Sequence, residues 1–332
     1  MRSKRILSLL LSLVMILSLL PTNIAFAETD TDNAVSGDED SQQTVYEIGT
    51  AEQLKAFRDS VNEGKTYAGD YIKLTGNIDL DGSESDQWTP IGLSVTIPFK
   101  GTFDGNGHKI SGLYINTTSD FQGLFGYMKE GEIKNLSVSG TVKGSYDVGG
   151  IVGNNNSGKV INCCNSAEIV STNSRSGGVA GRIDNSGIVI NCFNEGKISG
   201  GYESGGVVGR ANYKVENCWN TGTVNGKYNI GGVVGYSSTT GIISNCYNTG
   251  EVTATEEYAG GVVGCNLGNV KNCYNIGTIN HIKNNNCGGV TVNFNSNGKM
   301  ADCYYLEGCN GEKTTFRDEK GKRRRLYLTA VK

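Results

Sequence analysis

The stretch ENCWNTGTV, residues 216–224, decides the fold, because near copies return as INCFNEGKI (190–198), SNCYNTGEV (244–252) and KNCYNIGTI (271–279). One such group of Asn, Cys and an aromatic would read as a nest of ligands. Recurring at a steady period, it reads as a structural unit. Glycine pairs open the same units at Gly149-Gly150, Gly177-Gly178, Gly205-Gly206, Gly231-Gly232, Gly260-Gly261 and Gly288-Gly289, in steps of 26 to 29 residues. The cysteines Cys163, Cys192, Cys218, Cys246, Cys273 and Cys303 keep the same beat, with steps of 26 to 30. A degenerate earlier unit runs from QGLFG (122–126) to IKNLSVSGTV (133–142), where Asn135 and Leu136 stand in for Asn-Cys.

Each unit divides into three short apolar runs parted by Gly, Asn and Ser, too brief for helices and suited to strands. A unit of this size cannot bury its own apolar face, whereas stacked copies can. The sequence therefore predicts an all-β fold, a parallel right-handed β-helix of about seven or more coils. Val, Ile and Cys should point inward. Asn162, Asn191, Asn217, Asn245 and Asn272 should form a ladder at the corners, with glycine where φ is positive or the sheet bends sharply. The second asparagines, Asn194, Asn220, Asn248 and Asn275, are expected to end their strands, and Phe193, Trp219, Tyr247 and Tyr274 to stack on the outside. An exposed solenoid end is a template for aggregation. A capping helix is accordingly predicted from Thr50-Ala51-Glu52-Gln53, which fits a capping box, with Leu54, Phe57 and Val61 on one face.

Composition and address narrow the function. Arg2, Lys4 and Arg5 precede an apolar run at 6–20 and the small-residue pattern Ala25-Phe26-Ala27, the layout of a signal peptide cleaved after Ala27. The run is shorter than the roughly 20 residues of a membrane-spanning helix, so a secreted or cell-surface protein with no membrane span in its mature form is expected. Removing residues 1–27 leaves 27 Lys+Arg against 33 Asp+Glu, a net charge of about −6, which excludes nucleic acid as a partner. The expected divisions are a signal peptide (1–27), an acidic flexible leader (28–44), a cap with irregular first coils (45–121), the repeats (122–309) and a basic, disordered tail (310–332).

The phrases GGIVGNNNSGKVINCCNSAEI (149–169), GGVVGYSSTTGIISNCYNTGEV (231–252) and GGVVGCNLGNVKNCYNIGTI (260–279) resemble the GLUG-motif repeats of bacterial surface and secreted proteins. WTPIG (88–92), FKGTFDGNGHKISGLYI (99–115) and GLFGY (123–127) are similar to the segment that precedes those repeats. The resemblance implies a pectin-lyase-like β-helix on an exported bacterial protein. It implies little about activity, since the motif occurs in adhesin-like proteins and beside IgA-specific metallopeptidase domains without being catalytic itself.

Catalysis finds little support in the residues. His108 and His281 belong to no His-Glu-x-x-His pattern, and ladder cysteines spread along a rod instead of converging on a zinc ion. Asp79, Asp81 and Asp104 read as turn carboxylates, and no cluster of acid and base is apparent outside the repeat. Stacked cysteines are expected to be buried thiols, while Cys163-Cys164, Cys265, Cys287 and Cys309 break the ladder and are better placed for any bridge. No cofactor is expected. The function read from the sequence is a non-enzymatic stalk or adhesin-like module whose partner is a host glycan or extracellular-matrix protein. The alternatives are a polysaccharide lyase or hydrolase, or an accessory region split from a larger surface protein. The oligomeric state stays open.

Overall fold

The computed structural model describes residues 43–281, 287–293, 298–306 and 316–318. The signal-peptide reading, nearly all of the acidic leader, Cys309 and most of the basic tail lie outside the described residues.

The described residues wind into a parallel β-solenoid with three faces. The first face is a sheet of ten parallel strands running from Val45–Ile48 to Lys299–Ala301, so the chain makes about nine turns. With about 4.8 Å between strands, this sheet spans about 43 Å. The second face is built from long, bent strands such as Ser137–Gly149 and Glu168–Gly177, whose register shifts between Ser171 and Ser174. The third face has seven parallel strands, from Phe125–Lys129 to Thr291–Asn293. Register is kept coil by coil: Phe193 pairs with Trp219, Trp219 with Tyr247 and Tyr247 with Tyr274.

Inside, apolar residues from all three faces meet, Val160, Val189, Val215 and Ile243 from the first and Val152, Ala180, Val208 and Val234 from the third. The floor of the core is closed by helix α1 (Ala51–Asn62), which turns Leu54, Phe57 and Val61 inward. Its start is fixed by the predicted capping box, in which Thr50 Oγ1 accepts from Gln53 N at 3.3 Å and Gln53 Oε1 accepts from Thr50 N at 3.2 Å. Phe57 meets Phe99 and Phe103, which in turn meet Phe125, so an aromatic plug joins the helix to the first coils. At the other end Phe316–Asp318 pairs antiparallel with Tyr304–Leu306. That stretch of the basic tail is therefore strand, not disordered chain, because the last parallel strand would otherwise present an unpaired edge.

Candidate functional site

The repeated residues come first, because they determine what surface is left over. Each first asparagine, Asn135, Asn162, Asn191, Asn217, Asn245 and Asn272, has φ between 52° and 55°. This left-handed corner suits Asn, whose short side chain tolerates it. The glycine pairs are not at positive φ. They are glycine because of close approach: a Cβ on Gly178 would lie 2.3 Å from Asn194 Oδ1, and one on Gly206 would lie 2.1 Å from Gly232 O and 2.3 Å from Asn220 Cγ. Of the two reasons expected for glycine, positive φ or a sharp bend of the sheet, the first does not apply to these pairs, and close approach takes its place.

The second asparagine is the partner of that glycine. Asn165, Asn194, Asn220, Asn248 and Asn275 do not simply end their strands; they are buried and form an internal amide ladder. Asn194 Nδ2 donates to Asn220 Oδ1 at 2.7 Å and to Gly196 O at 2.8 Å, and Asn220 repeats the pattern to Asn248 and Gly222. The first-asparagine ladder is exposed and runs in the opposite sense, Asn191 donating to Asn162 and Asn217 to Asn191, each at 3.1 Å. The ladder cysteines are buried, and every thiol donates to a carbonyl two residues earlier, as from Cys218 Sγ to Glu216 O at 3.2 Å. Cys163, Cys192, Cys218, Cys246 and Cys273 are unbridged, as are Cys164 and Cys265, with burial pushing the Cys164 thiol up to about 12 and that of Cys265 to about 11.

The aromatic column offers little to a ligand. Phe193, Trp219, Tyr247 and Tyr274 stack with interplanar angles of 2–3° and centroids 4.6–5.8 Å apart. Both faces of Trp219 and of Tyr247 are thus covered by neighbouring rings, leaving edges to solvent.

What remains is the corner between the second and third faces, where the sequence stops repeating. Tyr146, Ser174, Tyr202 and Tyr228 succeed one another along its outer column, with Tyr202 half exposed and stacked on Tyr228 at 4.7 Å. One residue on, Asp147, Arg175, Glu203, Asn229 and Tyr258 all have positive φ. Beside them on the third face lie Asn154, Arg182, Arg210, Tyr236 and Cys265 in register. Asp147 pairs with Arg175 and accepts from Asn154 Nδ2 at 3.2 Å. Asp184 accepts from Arg182 Nε at 2.8 Å, and Arg210 Nη1 donates to Glu203 Oε1 at 3.1 Å while its guanidinium covers the Tyr236 ring. Burial raises the carboxyls of Asp147 and Glu203 above the ordinary range against the pull of these arginines. Glu203 Oε2 is buried and has no hydrogen-bond partner among the described residues.

This mixed acid–base cluster corrects the expectation that none lies outside the repeat. Its members are scattered singly through the chain at 26- to 29-residue intervals, where each looks like an ordinary surface charge. The signal was available in the aligned units, since the residue two before each glycine pair changes from Asp to Arg to Glu to Asn to Tyr. By contrast, Asp79 and Asp104 cap turns, accepting from Asp81 N at 3.2 Å and Asn106 N at 2.7 Å. Among the described residues no group of three His, Cys, Asp or Glu is placed to hold a metal ion, and no helix is long and apolar enough to cross a membrane.

Comparison with known proteins fits this geometry. The family model described as the GLUG motif matches residues 226–253 and 255–280. The chain is 34% identical over 228 residues to halomucin of Haloquadratum walsbyi, a match covering 66% of this chain and 2% of halomucin. It is 37% identical over 127 residues to a protein of Evansella cellulosilytica described as a Gly-rich membrane protein, covering 36% of this chain and 14% of that one. The chain thus spans a small part of the length of these relatives. A crystal structure described as an immunoglobulin A1 protease from Bacteroides ovatus superposes with a TM-score of 0.56 over 87% of this chain and 80% of that one, at 21% identity, a likeness of fold alone.

Proposed function

We propose that this chain, a GLUG-repeat β-helix protein, is an exported, surface-associated module that holds and presents a binding edge and catalyses no reaction. The observation that carries the reading is the division of labour between repeated and unrepeated residues. Repeated Cys, Asn, Gly and aromatic side chains are spent on one another from coil to coil, and specificity falls to the corner of Tyr146, Arg175, Tyr202, Glu203 and Arg210. Exposed tyrosines beside arginines are the chemistry enriched at protein-binding hot spots. The names of the two relatives, halomucin and a Gly-rich membrane protein, support a surface location, and a host glycan or matrix protein is the proposed partner.

The experiment is retention of the purified chain on immobilised extracellular-matrix proteins and glycans. Tyr202→Ala with Arg210→Ala should abolish retention, while Tyr247→Phe in the stacked column leaves it intact. Release of reducing or unsaturated sugar ends from a polysaccharide panel would refute the non-catalytic part. That alternative is favoured by one observation, the two raised carboxyls of Asp147 and Glu203. Two coil steps put them about 10 Å apart, near the upper limit for an inverting pair of acids. Both are already engaged by arginine, and neither lines the cavity of about 420 Å³ bordered by residues 87–122.

A further inference from the structure

Between the helix cap and the first regular coils the chain makes a non-repeating excursion, 83–98, that runs beneath the third face: Ile91 N donates to Leu124 O at 3.0 Å and Tyr127 N to Gly92 O at 2.8 Å. Where it leaves the second face it borders an open cavity of about 420 Å³, at the foot of the same corner that carries Asp147 and Arg175. Small-ligand cavities commonly measure about 300–1,000 Å³. The excursion is anchored on both sides. Asn62 of α1 donates to Pro90 O at 3.0 Å and accepts from Gly92 N at 2.9 Å, and Gln87 Oε1 accepts from Asn116 N at 2.8 Å. The walls therefore stand ready without a ligand.

From this cavity we infer a binding site for a neutral saccharide. The lining is partly apolar, with Pro90, Leu93 and Ile115, and suits the C–H face of a sugar ring. The lining also carries Thr117, Ser119, Asp120 and Gln122. Asp120 Oδ1 is held by Tyr146 N at 3.2 Å and Gln122 Nε2 is held by Asp120 O at 2.6 Å. Among the described residues, Asp120 Oδ2, at an exposed position, and Gln122 Oε1 have no hydrogen-bond partner, so two acceptors on anchored side chains are open to a ligand that brings donors. Hydroxyl groups bring them. No lining residue is basic, and the single carboxylate repels uronates, sialic acids and phosphates. The inference deepens the reading of the chain as a binding module and rests on it.

The test uses the full chain with methyl glycosides of glucose, galactose, mannose and N-acetylglucosamine, and with galacturonate and ethanolamine as charged probes, by saturation-transfer NMR. At least one neutral glycoside should receive transfer and the charged probes none. Asp120→Asn keeps the acceptor for Tyr146 N but turns the free oxygen into a donor, and should weaken binding about ten- to a hundredfold. Ser119→Trp, at an exposed position, should block the cavity without lowering the melting temperature. Silence with every neutral glycoside, a preference for galacturonate or ethanolamine, or binding unchanged in both variants overturns the inference. If glycosides bind but the chain is not retained on any matrix surface, the cavity stands and the adhesive role falls. If retention survives both substitutions and no glycoside binds, the cavity falls and the adhesive role stands.

Discussion

The internal asparagine ladder gives the sharpest prediction, because two asparagines of one phrase, three residues apart, should respond differently to the same change. Replacing Asn220 by Ala removes an acceptor from Asn194 Nδ2 and a donor from Gly222 O, bonds of 2.7 and 2.8 Å in a fully buried setting. Asn248 Oδ1 is less affected, since it keeps the bond from Gly250 N at 3.1 Å. Two stranded buried groups at about 1–3 kcal/mol each give a loss of about 2–6 kcal/mol. Asn217 is exposed, bonds to Asn191 alone, and sits at φ 53°. Asn217→Ala should cost about 1–2 kcal/mol, mostly the left-handed backbone penalty of an alanine, and Asn217→Gly should recover most of that loss. Asn220→Gly should recover nothing, because Asn220 is not among the positive-φ residues. Urea unfolding followed by the fluorescence of Trp88 and Trp219 and by far-UV circular dichroism measures all four, coincident curves securing a single transition. A loss below 1 kcal/mol at Asn220, or glycine rescue at 220 rather than 217, would refute the ladder as the source of register.

Three further outcomes are expected. Gly206→Ala pushes a methyl against Gly232 O and the Asn220 amide; it should destabilise by about 3 kcal/mol or more through overpacking, and a melting temperature within 2 °C of the parent (roughly 1 kcal/mol or less) would show that the two coils can part. Thiol titration of the denatured, unreduced chain should find at least seven reactive cysteines of the ten; fewer means a bridge among Cys163, Cys164, Cys192, Cys218, Cys246, Cys265 and Cys273. In Glu203→Gln the acid limb of the stability curve should steepen: burial raises the Glu203 carboxyl, so its contribution is full below the ordinary carboxylate range and is lost as pH rises through the folded value, and the variant forgoes that contribution at low pH. An unchanged difference in stability between pH 4 and pH 7 contradicts that assignment.

The solenoid was legible because the features that build it must recur in every coil. Cys218 needs a copy above and below, Gly206 needs Asn220 lying against it, and Asn217 needs its corner; each constraint is local to one coil and is stamped at the coil period. The cap was legible for a different reason, since Thr50 and Gln53 satisfy each other within four residues. The buried role of Asn220 was not legible. A strand-ending asparagine and an inward one occupy the same place in the phrase, and only the position of the facing glycine pair separates them. The corner was hidden more deeply. Asp147, Arg175 and Glu203 are brought together by stacking, at sequence distances where no motif search looks, and a residue that varies from copy to copy is what periodic reading discards as noise. In a solenoid that residue is the informative one. Packing imposes sameness on every position that faces a neighbouring coil, so a column running Asp, Arg, Glu, Asn, Tyr, bent into the left-handed region at each step and lined by half-exposed tyrosines, is released from that demand and free to differ from coil to coil. The physical criterion for a site in this fold is thus the reverse of the usual one. The ladder identifies the scaffold, and departure from the ladder at a fixed corner marks the surface to which the proposed binding is assigned.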